Sequence, residues 1–447
     1  MEYAEIKGKY PRFIYEKCEV NKTNEKYEFK YYFEIEGLKK FTPSLEIATQ
    51  YVKNTEIDDA FLHELAFHVG MVEMISYWKC AMPYEVIVKA GYLNDRQINW
   101  FKKLFYHGLG EFLYVNHIDI EYDDFMKIKC ESTPQKFDNT FEGHGNLIAI
   151  GGGKDSVVSL NLLKEMKADN DAFMINPKAV HLECAKAGGY ENKMVVIQRN
   201  LDKGIVELNN AGFLNGHTPF SAMVSFSSLL TAYLTKKKYI VLSNESSANE
   251  SNVVGTKINH QYSKSYEYEC DFNNYVKEHF AVNIHYFSLL RPLAEIQIAM
   301  LFAKYPEYHH VFKSCNVGSK QEPWHWCCNC PKCLFVYIIL CPFLLDEELL
   351  AIFGENLLDK KELLEIFIEL TGNSAHKPFE CVGTYEEVNY AISRKIEKTE
   401  GDLPFLLDYY QKHYSIVPEN DMLRSYNEEN NLPKEFSDIV KGVINEK

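Results

Sequence analysis

The sequence predicts an α/β protein: a parallel-sheet domain at residues 143–345, an α+β domain before it at 1–142, and a helical region after it at 346–447. Three observations carry that reading. Beyond residue 146, short apolar runs alternate with helical stretches, the pattern of strands joined by crossover helices. The first third opens in strand-like alternation and then changes to a helical period. A glycine turn, LIAIGGGKDSVVS at residues 147–159, joins the first of those apolar runs to a helix.

Length and charge bound the function. A chain of 447 residues has room for two or three domains. A formal net charge of −15 argues against nucleic acid as the main partner, because neutralising phosphates needs a basic face. The opening MEYAEIKGKYPRF carries no apolar signal core. The longest apolar run, residues 334–345, is interrupted by Pro342 and is too short to span a bilayer. A cytoplasmic protein with no membrane partner is expected. Twelve cysteines in such a chain point to thiol or metal chemistry, not to a disulfide framework.

In chain order, residues 12–16 and the alternating KYEFKYYFEI at 26–35 read as strands. A helical period follows from Ser44, and NDRQINWFKKLF at 94–105 predicts a helix with Asp95 as its N-cap. HGLGEFLYVN at 107–116 reads equally as a substrate-facing loop or a helix-to-strand turn. The polar segment 132–145 is the best linker. Strands are then expected at 147–150, 172–175, 194–198, 239–242 and 283–288, with a helix at 157–166 and a long serine-bearing one at 219–234. Further on, Asp359 and Glu362 predict a cap for a helix at 363–370 that Gly372 stops. The residues from Pro418 read as a docked polar tail.

The glycine turn is the strongest signal. Gly151, Gly152 and Gly153 let the backbone turn sharply and approach a ligand. A helix starting behind them aims its N–H groups and positive dipole end into the loop, which makes a phosphate cradle with Lys154, Asp155 and Ser156. Asp155 and Ser156 are N-cap types, and Asp155 suits a Mg²⁺ bridging phosphates. The Walker spacing is absent. The GxGxxG fingerprint fails because Ser156 or Val158 stands where its last glycine belongs.

Three further segments carry chemistry. SNESSANESN at 243–252 falls at the carboxyl end of a strand, where open sheets bind ligands, and offers Asn244, Glu245 and Asn249. NHQYSKSYEYE at 259–269 offers His260 and Lys264 as proton-transfer groups. Cys315, Cys327, Cys330 and Cys333, two linked CxxC steps plus one upstream thiol, match the ligand count of a tetrahedral structural Zn²⁺. A reduced thiol cluster beside Trp324 and Trp326 is the other reading. Cys381, in HKPFECVGT at 376–384, is a further candidate acid, or else a packed core residue.

GGGKDS resembles the SGGxDS loop of the PP-loop ATP pyrophosphatases, whose domain is adenine nucleotide alpha hydrolase-like, with Gly151 in place of the usual serine. Residues 291–296 resemble the Pro-Leu…Glu-Ile segment of those domains, and the cysteines resemble the zinc knot of the queuosine-pathway members. Together with LSNESSANE, NHQYSKSYEYE, CxxCPKC and KPFECVGT, the loop resembles the bacterial MurL family over nearly the whole chain. That resemblance implies ATP-dependent epimerisation of the terminal L-Glu of a UDP-N-acetylmuramoyl dipeptide through an adenylated α-carboxylate, with AMP and diphosphate released. It implies ATP and Mg²⁺ as cofactors and a nucleotide-sugar dipeptide as partner. Glu245, His260, Lys264 and Cys381 form the pool of bases and acids. A PP-loop ligase or amidase, or a nucleobase- or tRNA-modifying enzyme acting through an adenylate, is the alternative.

Overall fold

The computed structural model describes residues 2–138, 140–249, 262–374, 377, 378, 380, 382–414 and 422–445. The chain folds as two compact units interleaved in sequence. The first takes Met1–Leu147, Val195–Ile240 and Ile258–Tyr286; the second takes Ile148–Met194, Val241–Lys257 and Phe287–Lys447. The described strands are β1 (Arg12–Lys22), β2 (Lys26–Ile35), β3 (Lys39–Phe41), β4 (Ser44–Ala48), β5 (Glu85–Val88), β6 (Lys127–Cys130), β7 (Asn146–Ala149), β8 (Asn170–Ile175), β9 (Met194–Asn200), β10 (Tyr239–Leu242) and β11 (His285–Ser288).

In the first unit β2 buries every second residue, as its alternating sequence requires. It pairs antiparallel with β1, β3 and β4, and β1 slips register at a bulge between Tyr15 and Lys17. β5 joins β1 in parallel and β6 joins β5 in parallel. β9 runs antiparallel to β4, from Ser44 opposite Asn200 to Ile47 opposite Ile197. The fold is therefore mixed α/β; the antiparallel partner of β9 is β4, which lies outside the expected parallel-sheet region 143–345. Val195 and Ile197 of β9 are buried, and its polar end, Arg199 and Asn200, lies opposite Leu45 and Ser44. β10 and β11 are parallel, since His285 N–H donates to Lys238 O (2.9 Å) and Leu289 N–H to Leu242 O (2.8 Å) at the same offset.

Helices Asp59–Glu73 and Phe220–Thr235 form the core of the first unit. The hydroxyls of Ser225, Ser227, Ser228, Thr231 and Thr235 bond back to carbonyls three or four residues earlier, which is how a serine-rich helix is buried. The helix at Asp95–Gly108 is capped by Asn94, not Asp95: Asn94 Oδ1 accepts from Gln97 N–H and Gln97 Oε1 accepts from Asn94 N–H, both at 3.0 Å. One residue of shift puts the carboxylate of Asp95 in the first turn, where the dipole favours it. Residues 107–116 are helical, ending one helix at Gly108 and forming a second at Gly110–Val115.

In the second unit Pro331–Leu340 is buried along its whole length except at its first residue. Asp346–Phe353, Leu364–Leu370, Tyr385–Lys398, Phe405–His413 and Lys434–Asn445 make the helical region. The Asp359/Glu362 cap is not formed. Two 3₁₀ turns, Leu357–Asp359 and Lys361–Leu363, precede the helix, and Asp359 instead accepts from the Asn356 side chain (2.7 Å) and Phe405 N–H (3.3 Å). Within the tail, Asn427 N–H donates to Pro292 O (2.9 Å) and the Phe436 ring lies 4.7 Å from Phe287. Among the described residues no helix is long and apolar enough to cross a membrane.

Buried polarity in the first unit sets a pH response. His68 Nδ1 donates to Glu64 O (2.8 Å), so its Nε2 accepts from Tyr275 OH (2.7 Å), which in turn accepts from Gln97 Nε2 (3.1 Å). Burial, with His279 nearby, drives His68 down to about 3, while burial drives Glu64 up to about 7. The depressed His68 favours folding above pH 6.5 and loses that contribution as pH falls toward 3; the raised Glu64 favours folding below pH 4.5 and loses it as pH rises toward 7. The two slopes oppose each other between 4.5 and 6.5. Glu64→Gln should unmask the His68 slope, up to about 1.4 kcal/mol per pH unit, in denaturant melts across that window.

Candidate functional site

β7 delivers the chain to Gly151, and the helix Lys154–Leu162 leaves from Gly153. Gly153 is the N-cap and offers no side chain, so the first-turn N–H groups lack a capping oxygen. The expected caps lie inside the helix: Asp155 is in its first turn, and Ser156 Oγ donates back to Gly153 O (3.0 Å). Gly152 has φ +74°, and a Cβ on it would stand 2.9 Å from Val180 Cγ1. A Cβ on Gly151 would meet nothing within 4 Å. Gly152 is obligatory here and Gly151 is not.

Lys154 turns inward. Its ammonium bonds both Asp155 Oδ1 and Glu295 Oε2 and is 2 % exposed, while Asp155 remains 28 % exposed. Burial pulls the Lys154 pKa down, but the two carboxylates outweigh it and hold the group well above its ordinary value. Burial pushes Glu295 up; Lys154 opposes, Asp155 and Glu245 add to the rise, and Lys332 opposes again. Lys154 thus bonds two carboxylates, Asp155 and Glu295. Among the described residues Asp155, Glu295 and Glu245 do not converge as a metal-ligand group; Asp155, part exposed beside the loop, is the one that would meet a phosphate-bound Mg²⁺.

Glu295 begins the helix Glu295–Phe302, and its own N–H donates to Glu387 Oε1 at 2.5 Å. Glu387 Oε2 accepts from Thr384 N–H (2.6 Å), so one buried carboxylate caps two helices. Burial raises its pKa, against the hydrogen bonds it accepts. Arg291, fully buried, donates from Nη1 to Glu245 O (2.9 Å) and fixes the residue 243–249 segment. There Asn244 Nδ2 donates to Ser288 Oγ (3.0 Å), Ser243 shares a hydrogen bond with Ser159 (2.7 Å), and Asn249 ends the turn Ser246–Asn249. Glu295, Glu387, Arg291 and Lys332 were absent from the sequence-predicted set. For Arg291 and Glu295 the signal was available in RPLAEIQIAMLF: charged residues inside an apolar run are buried only with partners.

The four cysteines converge. The Sγ atoms of Cys315, Cys327, Cys330 and Cys333 lie within 4.8 Å of one another, with separations of 3.9 Å (315–330), 3.8 Å (327–333) and 3.5 Å (330–333). Zn–S bonds of about 2.3 Å set tetrahedral S···S edges of about 3.8 Å, so the donor set fits Zn²⁺. Gly318 N–H donates to Cys315 Sγ (3.1 Å), and hydrogen bonds from Cys330, Cys333 and this amide push the Cys315 thiol down. Cys328 stands apart, facing Phe353 O (3.2 Å).

Of the proton-transfer candidates, Glu245 belongs to the second unit with the loop. Lys264 ends the turn Tyr262–Lys264 in the first unit. His260 and Cys381 lie outside the described residues. The loop geometry makes a stability prediction: Gly152→Ala should cost about 1–3 kcal/mol in denaturant melts, and Gly151→Ser should stay within about 0.5 kcal/mol of the parent.

Comparison with known proteins places this geometry. The MurL N-terminal domain model matches residues 5–289 and the MurL C-terminal domain model matches 311–419. Proteins named UDP-N-acetyl-alpha-D-muramoyl-L-alanyl-L-glutamate epimerase are similar along most of their length. The one from Micromonospora sp. is 34% identical over 82% of each chain. That from Xanthomonas oryzae pv. oryzae is 35% identical over 74% of each, and that from Salinispora tropica 33% identical over 80% of this chain and 79% of its own. The two family models between them take in the glycine loop, the residue 243–249 turn, all four clustered cysteines and Glu387, and the chain belongs to the MurL family.

Proposed function

We propose that this chain epimerises the terminal L-Glu of UDP-N-acetylmuramoyl-L-Ala-L-Glu to D-Glu, a step in making peptidoglycan precursors, and that it uses a PP-loop to do so. The epimerase names of relatives at 33–35% identity support the reaction. The observation that supports the ATP-cleaving loop is the strand–glycine–helix turn, whose helix N-terminus at Gly153 carries no side-chain cap.

The chemistry needs activation. A free carboxylate's α-proton resists removal because its loss builds a dianion. In the proposed reaction the glutamate α-carboxylate oxygen attacks the α-phosphorus of ATP, the bond to the β-phosphate breaks, and pyrophosphate leaves. The acyl adenylate carries less charge, so a base on one face can take the α-proton and an acid on the other can return one. Water then cleaves the adenylate, releasing AMP and the D-glutamyl product. The Gly151–Gly153 backbone and the first helical turn hold the phosphates. Mg²⁺, which Asp155 would help to hold, would supply charge neutralisation for the departing pyrophosphate. Lys154, locked between Asp155 and Glu295, holds both carboxylates in place. Glu245 and Lys264, with His260 and Cys381 outside the described residues, remain the pool for the two proton transfers.

For the nucleotide end of the substrate, the first unit offers a cavity of about 530 Å³ lined by Arg96, Asn99, Trp100, Lys103, His107 and Tyr122. Basic groups beside two aromatic faces suit a nucleoside diphosphate. Lys103 is held there by Glu267 (2.6 Å) and Asp271 (2.7 Å).

Incubation in deuterium oxide, followed by chiral analysis of the released glutamate, tests the reaction. Deuterium should enter the α-carbon only when ATP is present, and Asp155→Ala should abolish both exchange and AMP formation. Exchange without ATP would overturn the adenylate. Arg96→Ala should raise KM for the nucleotide-sugar dipeptide severalfold with kcat nearly unchanged; an unchanged KM would remove the cavity from the reading.

A further inference from the structure

The cysteine cluster and the glycine loop are joined by a short strap, residues 312–315. Cys315 is a member of the cluster. Two residues earlier, Lys313 N–H donates to Gly152 O at 3.0 Å. Between them, Ser314 sets its Cβ 3.5 Å from where a Cβ on Gly153 would stand. The Ser314 hydroxyl is buried beside the loop without a hydrogen-bond partner. Phe312 anchors the strap against Phe302 (4.4 Å) and Trp326 (5.3 Å).

A second route runs parallel to the first. Trp324 Nε1 donates to Cys315 O (2.9 Å), and its ring lies 5.6 Å edge-on to His181. His181 hydrogen-bonds the Gly151 backbone, and its Cδ2 stands 3.0 Å from a Cβ built on Gly152. The strap thus bonds Gly152 and passes beside Gly153, while His181, packed on Trp324, bonds Gly151. Gly318 shows how tightly the cluster's own loop is wound: a Cβ there would sit 1.8 Å from His325 O.

We propose that a divalent zinc held by Cys315, Cys327, Cys330 and Cys333 sets the conformation of the glycine loop through residues 312–315, so that ATP binding depends on metal occupancy. Four thiolates close around one ion bring Cys315 to the start of the helix Pro331–Leu340 and fix the strap's end. Without the ion the thiols repel or protonate separately, Cys315 is released, and the Lys313–Gly152 bond loses its anchor. This coupling rests on the glycine loop being the ATP site; the cluster's metal content does not.

The test measures zinc per chain, the spectrum of the cobalt-substituted protein, and equilibrium binding of Mg-ATP, with far-UV circular dichroism reporting the fold. The wild type should hold one zinc, and the cobalt form should show the intense bands of a tetrahedral tetrathiolate. Cys333→Ser should lose the metal and weaken Mg-ATP binding about tenfold or more, while Cys328→Ser keeps both. Ser314→Leu keeps every thiol, so it should retain zinc yet bind Mg-ATP about tenfold more weakly; if Cys333→Ser fails to fold, wild type stripped of zinc by a chelator and then reloaded carries the test, with Mg-ATP binding lost and regained. Absence of bound metal overturns the proposal, as does full ATP affinity in folded metal-free protein or in Ser314→Leu. A zinc-loaded wild type that binds no Mg-ATP overturns the coupling together with the loop reading, and leaves the zinc assignment standing.

Discussion

The buried ammonium of Lys154 is the constraint on which the second unit's site depends. It sits at the first position of a helix, 2 % exposed, between Asp155 and Glu295. Two carboxylates from separate segments would repel if brought this close alone. One ammonium between them turns repulsion into a fixed geometry and leaves a net negative site with one open edge at Asp155. Removing it would strand buried charge, which costs about 3–5 kcal/mol when a buried pair is broken. Glu387 extends the same logic: its carboxylate accepts the N–H of Glu295 and caps its own helix, tying residues 295 and 387 together.

Beside that centre the glycine loop turns from β7 into the helix Lys154–Leu162. A glycine N-cap forgoes the hydrogen bond that serine or aspartate would give and leaves the first-turn N–H groups without a capping side chain. The site's supports are stiff. Arg291 holds Glu245 by its carbonyl, Gln297 ties the segment after residue 421 to the helix that Glu295 begins, and the cysteine cluster backs the glycines through residues 312–315.

Local patterns were legible where a single rule decided the outcome. β2 and β10 match the strands read from alternation and from a short apolar run, to the residue, and the glycine loop falls between a strand and a helix as its composition demands. The four thiols meet because two CxxC steps and one helix start leave them little choice. What the sequence concealed was long-range. The cap at Asn94 beat Asp95 because Gln97 completes a reciprocal pair, and Asp359 was drawn off by Asn356 and Phe405. The role of Glu295 depended on Lys154, 141 residues away in sequence. Interleaved units were equally hidden, because a chain that crosses between units leaves no composition shift at the crossing. His260 and Cys381 were read as chemistry from residue type alone, with no partner spacing to support them.

The account's central claim is that the loop makes an adenylate so that one α-proton can move. Exchange of labelled pyrophosphate into ATP tests it most directly, run with and without UDP-N-acetylmuramoyl-L-Ala-L-Glu. The account predicts exchange only when the dipeptide substrate is present, with AMP as the nucleotide product. ADP and orthophosphate as the products, or inversion of glutamate with no nucleotide consumed, would contradict it.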